Sequence, residues 1–170
     1  MRTLRMAVLL AAVPAILGAE GPTRKPMEGA WRVVEIVVTG ANAENTSSPQ
    51  PGLFIFGQKH YSMMWIRGAQ ARAPYVGEEP TNAEKVRAFD SFVANTGSYE
   101  VSGSTITIRP MVARSPNFMA GGSAKYEFRV EGSTLLLTEK STDMKYRIGQ
   151  EVVPPSRPAS ETRLKLVRLE

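Results

Sequence analysis

Apolar positions in this chain recur mostly with a period of two, in short runs broken by glycine, proline and asparagine. Ala30 to Thr39 (AWRVVEIVVT) is rich in β-branched residues, is apolar on both faces after Val33 and ends at Gly40, which predicts a first strand. Asn42 to Pro51 is polar and predicts a loop. Leu53 to Phe56 and His60 to Ile66 predict a hairpin around Gly57-Gln58-Lys59, a three-residue connection containing glycine. Arg67 to Pro80 lacks periodicity and predicts a long loop. Ser98 to Val101 and Ser104 to Arg109 meet at Ser102-Gly103. Ser123 to Val130 sets Tyr126, Phe128 and Val130 against Lys125, Glu127 and Arg129, the alternation of a half-buried strand. Glu131-Gly132 turns it into Thr134 to Glu139. Met144 to Ile148 predicts a shorter strand. Gln150 to Ser160, with Pro154, Pro155 and Pro158, predicts a surface excursion. Thr162 to Leu169 predicts a closing strand with Leu164 and Leu166 on one face.

One segment departs from the two-residue period. Val86, Phe89, Phe92 and Val93 fall at helical spacing, with Lys85, Arg87 and Asp90 away from them. Thr81 or Asn82 can cap this helix, and Glu84 stands three residues after Thr81 as in a capping box. Asn95 and Gly97 are expected to stop it. The apolar stripe predicts packing on the wall or across one end of the sheet.

Composition narrows the chemistry. The 170 residues suffice for one domain with a sizeable core. There is no cysteine, which excludes disulfides, thiol catalysis and Cys-ligated zinc. His60 is the one histidine, which excludes a multi-His metal site; it starts a strand beside a turn and is expected to be exposed. No Asp-rich calcium loop or paired-carboxylate motif occurs. Ser115 has no nearby base, and Gly-x-Ser-x-Gly is missing. Glu78-Glu79 reads as solvated surface. No cofactor is implied.

The first nineteen residues read as a signal peptide. Arg2 and Arg5 make a positive region, Met6 to Leu17 an apolar one, and Gly18-Ala19 a small-residue cut before Glu20. Twelve apolar residues interrupted by Pro14 are too few for a retained anchor, since a span takes about 20. The expectation is an exported protein, periplasmic or secreted, with residues 20–28 as a flexible leader and residues 29–170 as the domain. Removing Arg2 and Arg5 lowers the formal charge from +5 to +3. No basic cluster interleaved with aromatics appears, so nucleic acid is not expected, and no later segment is apolar enough to predict a stable membrane span after cleavage.

Several local patterns recur together in a known family. Gly29-x-Trp31-x-Val33 opens the first strand, and Gly52-Leu-Phe-Ile-Phe-Gly57 precedes Tyr61-Ser62-Met63. The helix after Thr81, Gly97-Ser-Tyr99-Glu-Val101 and Ser115-Pro116-Asn117-Phe118 follow in order. In this the chain resembles the bacterial lipocalin-like domain family, from Gly29 to Glu139 and more loosely to the C-terminus. The resemblance implies an all-β fold: a single antiparallel up-and-down barrel of about eight to nine strands with one amphipathic helix, of the calycin type. It implies that Trp31, entered from Gly29, packs across the barrel floor under a basic residue of the last strand, Arg168 or Arg163. Where related sequences carry histidines, this chain has Ile108, Arg109 and Pro110, so histidine-based chemistry does not transfer.

The resemblance also implies a pocket for a small apolar or amphipathic ligand, for which strand parity offers candidates. Phe54 and Phe56 share a face, as do Tyr61, Met63 and Trp65; Tyr126 and Phe128 follow on a later strand. Met111, Phe118 and Met119 lie in or beside the connection before Ser123. Aromatics and flexible methionines suit an adaptable cavity. The competing reading is that these side chains simply fill a barrel of eight strands. Among Arg67, Arg72, Arg109 and Arg114, the preferred ligand anchor is Arg109, which shares a face with Thr105 and Thr107; on an inward face it must have a partner. Two other functions remain open. A cofactor-free isomerase or cyclase acting on a lipid-like or polyketide-like substrate needs an acid or base inside, for which Tyr61, Tyr99, Tyr126 and Glu127 are candidates. A filled barrel would instead bind a protein through its loops.

Overall fold

The computed structural model describes residues 25–40, 43–68, 70–156 and 158–169. The expected signal peptide, and the leader as far as residue 24, lie outside the described residues. Strands β1 (Gly29–Gly40), β2 (Glu44–Thr46), β3 (Gly52–Phe56) and β4 (His60–Ile66) come first. A helix, α1 (Asn82–Asp90), precedes β5 (Phe92–Ser102) and β6 (Thr105–Ala113). The single turn α2 (Pro116–Met119) leads into β7 (Ala124–Glu131) and β8 (Thr134–Lys140). A 3-10 turn (Ser141–Asp143) is followed by β9 (Tyr146–Ile148), β10 (Glu151–Val153) and β11 (Ser160–Arg168).

Eight of these strands close an antiparallel barrel. The ladder runs β11-β8-β7-β6-β5-β4-β3-β1, and β11 pairs with β1 to shut it. Closure leaves no free edge among the eight, and it divides side chains into an inner and an outer set. The barrel was the expected architecture. The details differ in four places. Glu44–Thr46, expected as loop, adds β2 to β1 at Ile36 to Val38. Glu151–Val153, within the expected surface excursion, pairs with Tyr146–Ile148 as a small separate hairpin. α2 is a second helix, started by Pro116 at its first turn. The fourth difference is α1.

The Thr81–Glu84 capping box forms: Glu84 N–H donates to Thr81 Oγ1 at 3.3 Å, and Thr81 N–H donates to Glu84 Oε2 at 2.8 Å. The helix ends at Asp90, however, and not at Asn95 to Gly97. Phe92 and Val93 begin β5, opposite Ile66 and Trp65. Helical spacing was satisfied by chance across this junction, because ladder bonds to β4 outweigh the propensity of an isolated turn. Val86 and Phe89 are exposed, so the expected apolar stripe does not pack on the barrel. Glu84 is the one buried side chain of α1.

Two β-bulges set which residues face inward. The register shifts between Val33 and Glu35, leaving Val34 as an extra residue. Trp31 and Val33 face in below it; Ile36 and Val38 face in above it. The second shift lies between Thr96 and Gly97, where Met111 of β6 is the extra residue. Ile106, Ile108 and Pro110 face in below Met111, and Ala113 above it.

The floor half of the barrel is solid. Trp31, Phe54, Met63, Ile106, Ile108, Leu135 and Leu166 are fully buried, joined by Phe56, Tyr61, Tyr99 and Leu137. Phe56 meets Tyr99 edge-on at 5.5 Å between ring centroids. Residues 25–28, expected as the end of a flexible leader, seal this end. Met27 is fully buried. Trp31 Nε1 donates to Met27 O at 2.7 Å, and Arg168 donates to Glu28 O at 2.7 Å and Pro26 O at 2.9 Å. Gly29 turns the chain from this plug into β1 at φ +136°, a conformation that favours glycine.

Candidate functional site

The opposite half of the barrel is hollow. Above the layer of Tyr61 and Met63 lies a cavity of about 320 Å³, at the lower end of the size range for small-molecule sites. Its apolar walls come from Ile36 and Val38 of β1, Trp65 of β4, Val93 of β5, Phe118 of α2 and Leu164 of β11. Both bulges contribute here. Without the extra Val34, Ile36 and Val38 would point outward; without the extra Met111, Ala113 would.

Polar groups converge on the same space. Asn95, Tyr126, Glu139 and Thr162 line it, with Arg67, Arg114 and Ser115 toward the mouth. Asn95 is 8% exposed, and its Oδ1 is buried with no hydrogen-bond partner among the described residues. A buried acceptor left unpaired costs about 1–3 kcal/mol. Tyr126 is enclosed, and burial first, then the Glu139 charge and the Tyr61 and Tyr146 hydroxyls, hold its phenol well above the ordinary tyrosine range. Burial also pushes the Tyr61 phenol up, and its hydroxyl has no partner among the described residues. Tyr126 is therefore a neutral hydrogen-bonding group at physiological pH. Arg114 donates to Phe89 O at 2.6 Å and lies 4.5 Å from the Phe89 ring centre, which fixes it at the mouth.

The residues proposed from strand parity separate into three groups. Trp65, Phe118 and Tyr126 line the cavity. Phe54, Phe56, Tyr61 and Met63 face inward as expected, but they are packed into the floor. Phe128 is half-buried and packs against that core without reaching the cavity. Arg109 and Met111 are corrections. Arg109 does share a face with Thr105 and Thr107, but that face is the outer one, and its guanidinium pairs with Glu100 at 3.6 Å on the surface. Met111 is the bulged residue and is 66% exposed. Arg67 and Arg114, which ranked behind Arg109 in the sequence, are the arginines at the site.

The acid–base candidates separate too. Glu127 faces outward, 3.9 Å from Lys140. Tyr99 belongs to the floor, where its hydroxyl donates to Gly57 O at 2.6 Å; burial and then the Glu28 charge push its pKa up to about 12. Among the described residues no three His, Cys, Asp or Glu side chains converge as metal ligands do. No helix among the described residues is long and apolar enough to cross a membrane.

Sequence reasoning missed Ile36, Val38, Asn95 and Glu139. Asn95 was read as a helix stop, and simple alternation from Trp31 puts Ile36 on the wrong face. The signal for Glu139 was present, because it continues the inward parity of Leu135 and Leu137.

A second concavity lies on the outside of the wall. It is an open groove of about 760 Å³, with Arg32, Leu53, Met64, Ile66 and Phe92 along it. Trp65 lines both this groove and the internal cavity.

The lipocalin-like domain family model matches residues 28–155. The chain belongs to that family, in agreement with the closed barrel and the Trp31 floor. No curated protein matches the chain.

Proposed function

We propose that this member of the lipocalin-like domain family holds one small amphipathic molecule in the hollow half of its barrel. One observation carries the reading: a buried, unpartnered Asn95 Oδ1 in the wall of a cavity that combines apolar and polar side chains, above a sealed floor. Apolar walls supply affinity through burial, and a few placed polar groups supply orientation. The bound molecule presents a hydroxyl or amide donor to Asn95 and lays its apolar part against Trp65, Phe118 and Leu164. Trp31 is remote, so Trp65 reports occupancy. Titration with 1-hexanol is expected to saturate one site per chain and to change Trp65 emission, with Asn95→Leu weakening binding about five- to tenfold through the lost hydrogen bond. Absence of saturable 1-hexanol binding would sink the reading.

A second reading, a cofactor-free isomerase, is favoured by the presence of Tyr126 and Glu139 on one cavity. A carboxylate there takes a proton from carbon, a neutral phenol donates to the neighbouring carbonyl oxygen, and return of the protons leaves an isomer. Conversion of cyclohex-3-en-1-one to its conjugated isomer, followed by ultraviolet absorbance, tests it. A rate no faster than in buffer, or one unchanged by Glu139→Gln, removes it. A barrel packed end to end that works only through its loops has less support, given the volume above Met63.

We also propose that the protein acts after export, on the strength of the Arg2–Arg5 region and the apolar run to Leu17. Sequencing the N-terminus of protein recovered from the periplasm or medium tests this. An intact Met1 argues against it.

A further inference from the structure

Trp65 stands between the internal cavity and the external groove, beside a break in the strand pairing of the wall. β1 pairs with β3 only from Gly29 to Arg32, and with β2 from Ile36 to Val38. Among the described residues β2 pairs with β1 alone, so no ladder joins it to the mouth end of β4. The gap is bridged by the Ser47–Pro51 segment, anchored where Ile66 N–H donates to Pro51 O at 3.1 Å. Opposite Trp65 in the register is Gly52, which has no side chain to thicken the wall. A Cβ there would sit 2.9 Å from Trp65 Cβ and 2.7 Å from Val33 Cγ2, so the site has room for glycine only.

The groove outside this gap is mostly apolar, with Arg32, Ser47 and Ser48 as its polar members. Leu53 and Met64 are neighbours in the β3–β4 ladder, and Ile66 and Phe92 are neighbours in the β4–β5 ladder. All four point away from the barrel interior. Met64 is 38% exposed and is flanked by Leu53 and Ile66 on the same face. Trp65 is shared by the exterior groove and the interior cavity, so a single occupant touching it has both surfaces within reach.

Resting on the reading that the cavity takes a polar-ended molecule, we infer that the groove is the second half of the same site and holds the alkyl tail of that molecule. The ligand class is a single-chain amphiphile. Its hydrogen-bonding end sits inside against Asn95, its chain passes Trp65, and its tail lies on Leu53, Met64 and Ile66. The groove extends the site beyond the cavity and gives a long chain further apolar surface to cover. Each additional buried methylene adds about 0.8 kcal/mol, close to fourfold in affinity, until the groove is filled.

Binding of 1-hexanol and 1-dodecanol to the wild-type chain, Met64→Glu and Leu53→Glu tests this. Both substitutions are on the outer face, and circular dichroism with the 1-hexanol affinity verifies that each variant is folded. The expected result is 1-dodecanol binding at least a hundredfold tighter than 1-hexanol, reduced at least tenfold by either glutamate, with 1-hexanol unchanged. If 1-hexanol binds but the glutamates leave 1-dodecanol untouched, the groove assignment is wrong and the cavity reading stands. If neither alcohol binds the wild-type chain, both fall. A groove covered by a second copy of the chain would appear as a dimer dissolved by Met64→Glu with 1-dodecanol binding intact, which also overturns the inference.

Discussion

Arg168 lies directly opposite Trp31 across the seam that closes the barrel, with its guanidinium carbon 4.1 Å from the indole ring centre. The same guanidinium donates to Glu28 O and Pro26 O, while the indole N–H donates to Met27 O. One cation thus ties the last strand to the first strand and both to the plug that precedes it. Arg163, the other basic residue considered for this role, instead pairs with Glu161 at 2.8 Å on the surface.

Truncation of this arrangement is expected to be costly. Trp31→Ala removes a fully buried aromatic and should cost about 3–5 kcal/mol. Arg168→Lys keeps the charge but loses the planar fork and its stacking, and should cost about 1–2 kcal/mol. Denaturant melts measure both. An unchanged midpoint in Trp31→Ala contradicts the floor role.

Gly97 allows the bulge at Met111. A Cβ at Gly97 would run into the Arg109 carbonyl and lie 2.8 Å from both Met111 N and Pro110 Cα, all backbone atoms. Gly97→Ala should therefore destabilise by about 1–3 kcal/mol, as overpacking does, and disturb the cavity wall at Ala113. Thermal unfolding with a parallel 1-hexanol titration measures both effects. Wild-type values for both would show that the bulge tolerates a side chain.

Asn95 is predicted to limit stability in the empty protein. Asn95→Leu removes an unpaired buried acceptor, so the melting temperature should stay level or rise while 1-hexanol binding weakens. A large loss of stability would mean that Asn95 is satisfied within the fold, and its role in the cavity would be lost.

The buried tyrosines predict an alkaline transition. In Tyr61, Tyr99 and Tyr126 the folded-state pKa lies above the unfolded value near 10. Their contribution is complete below pH 10, where both states are protonated. It is lost as pH rises from 10 toward the folded values, at up to ~1.4 kcal/mol per pH unit for each tyrosine. Phenolate absorbance from these residues should appear together with loss of the β-sheet circular dichroism. Tyr126→Phe should flatten the decline. Phenolate formation at Tyr61, Tyr99 or Tyr126 at pH 10 with the sheet intact, read by difference against the corresponding Tyr→Phe variant, would contradict their enclosure.

Trp65→Phe is expected to abolish the ligand-induced change in tryptophan emission and leave 1-hexanol affinity within about threefold, because one aromatic side chain replaces another. A persisting change in that variant would place the reporter at Trp31, against a sealed floor.

Local pattern carried most of the strands and the Thr81–Glu84 cap, which depend on residues close in sequence or on parity within one uninterrupted strand; the Trp31 floor came from the family resemblance. Parity failed wherever a ladder gained an extra residue. Arg109 was grouped correctly with Thr105 and Thr107, but alternation alone does not say which face points inward. Simple alternation puts Ile36 and Ala113 on the outer face, whereas the bulges at Val34 and Met111 turn them inward, and bulges arise from register with a partner strand. Phe92 and Val93 look helical by spacing and are strand because β4 pairs with them.

By itself, then, the amino-acid order determined an all-β chain, its turns, one capped helix and an aromatic-rich inner face, since each follows from short-range sterics and alternating hydrophobicity. Only the closed tertiary structure decided that the inner face is solid below Met63 and hollow above it. That division depends on two ladder irregularities and on a gap between β2 and β4, which exist only once distant strands are hydrogen-bonded around the barrel.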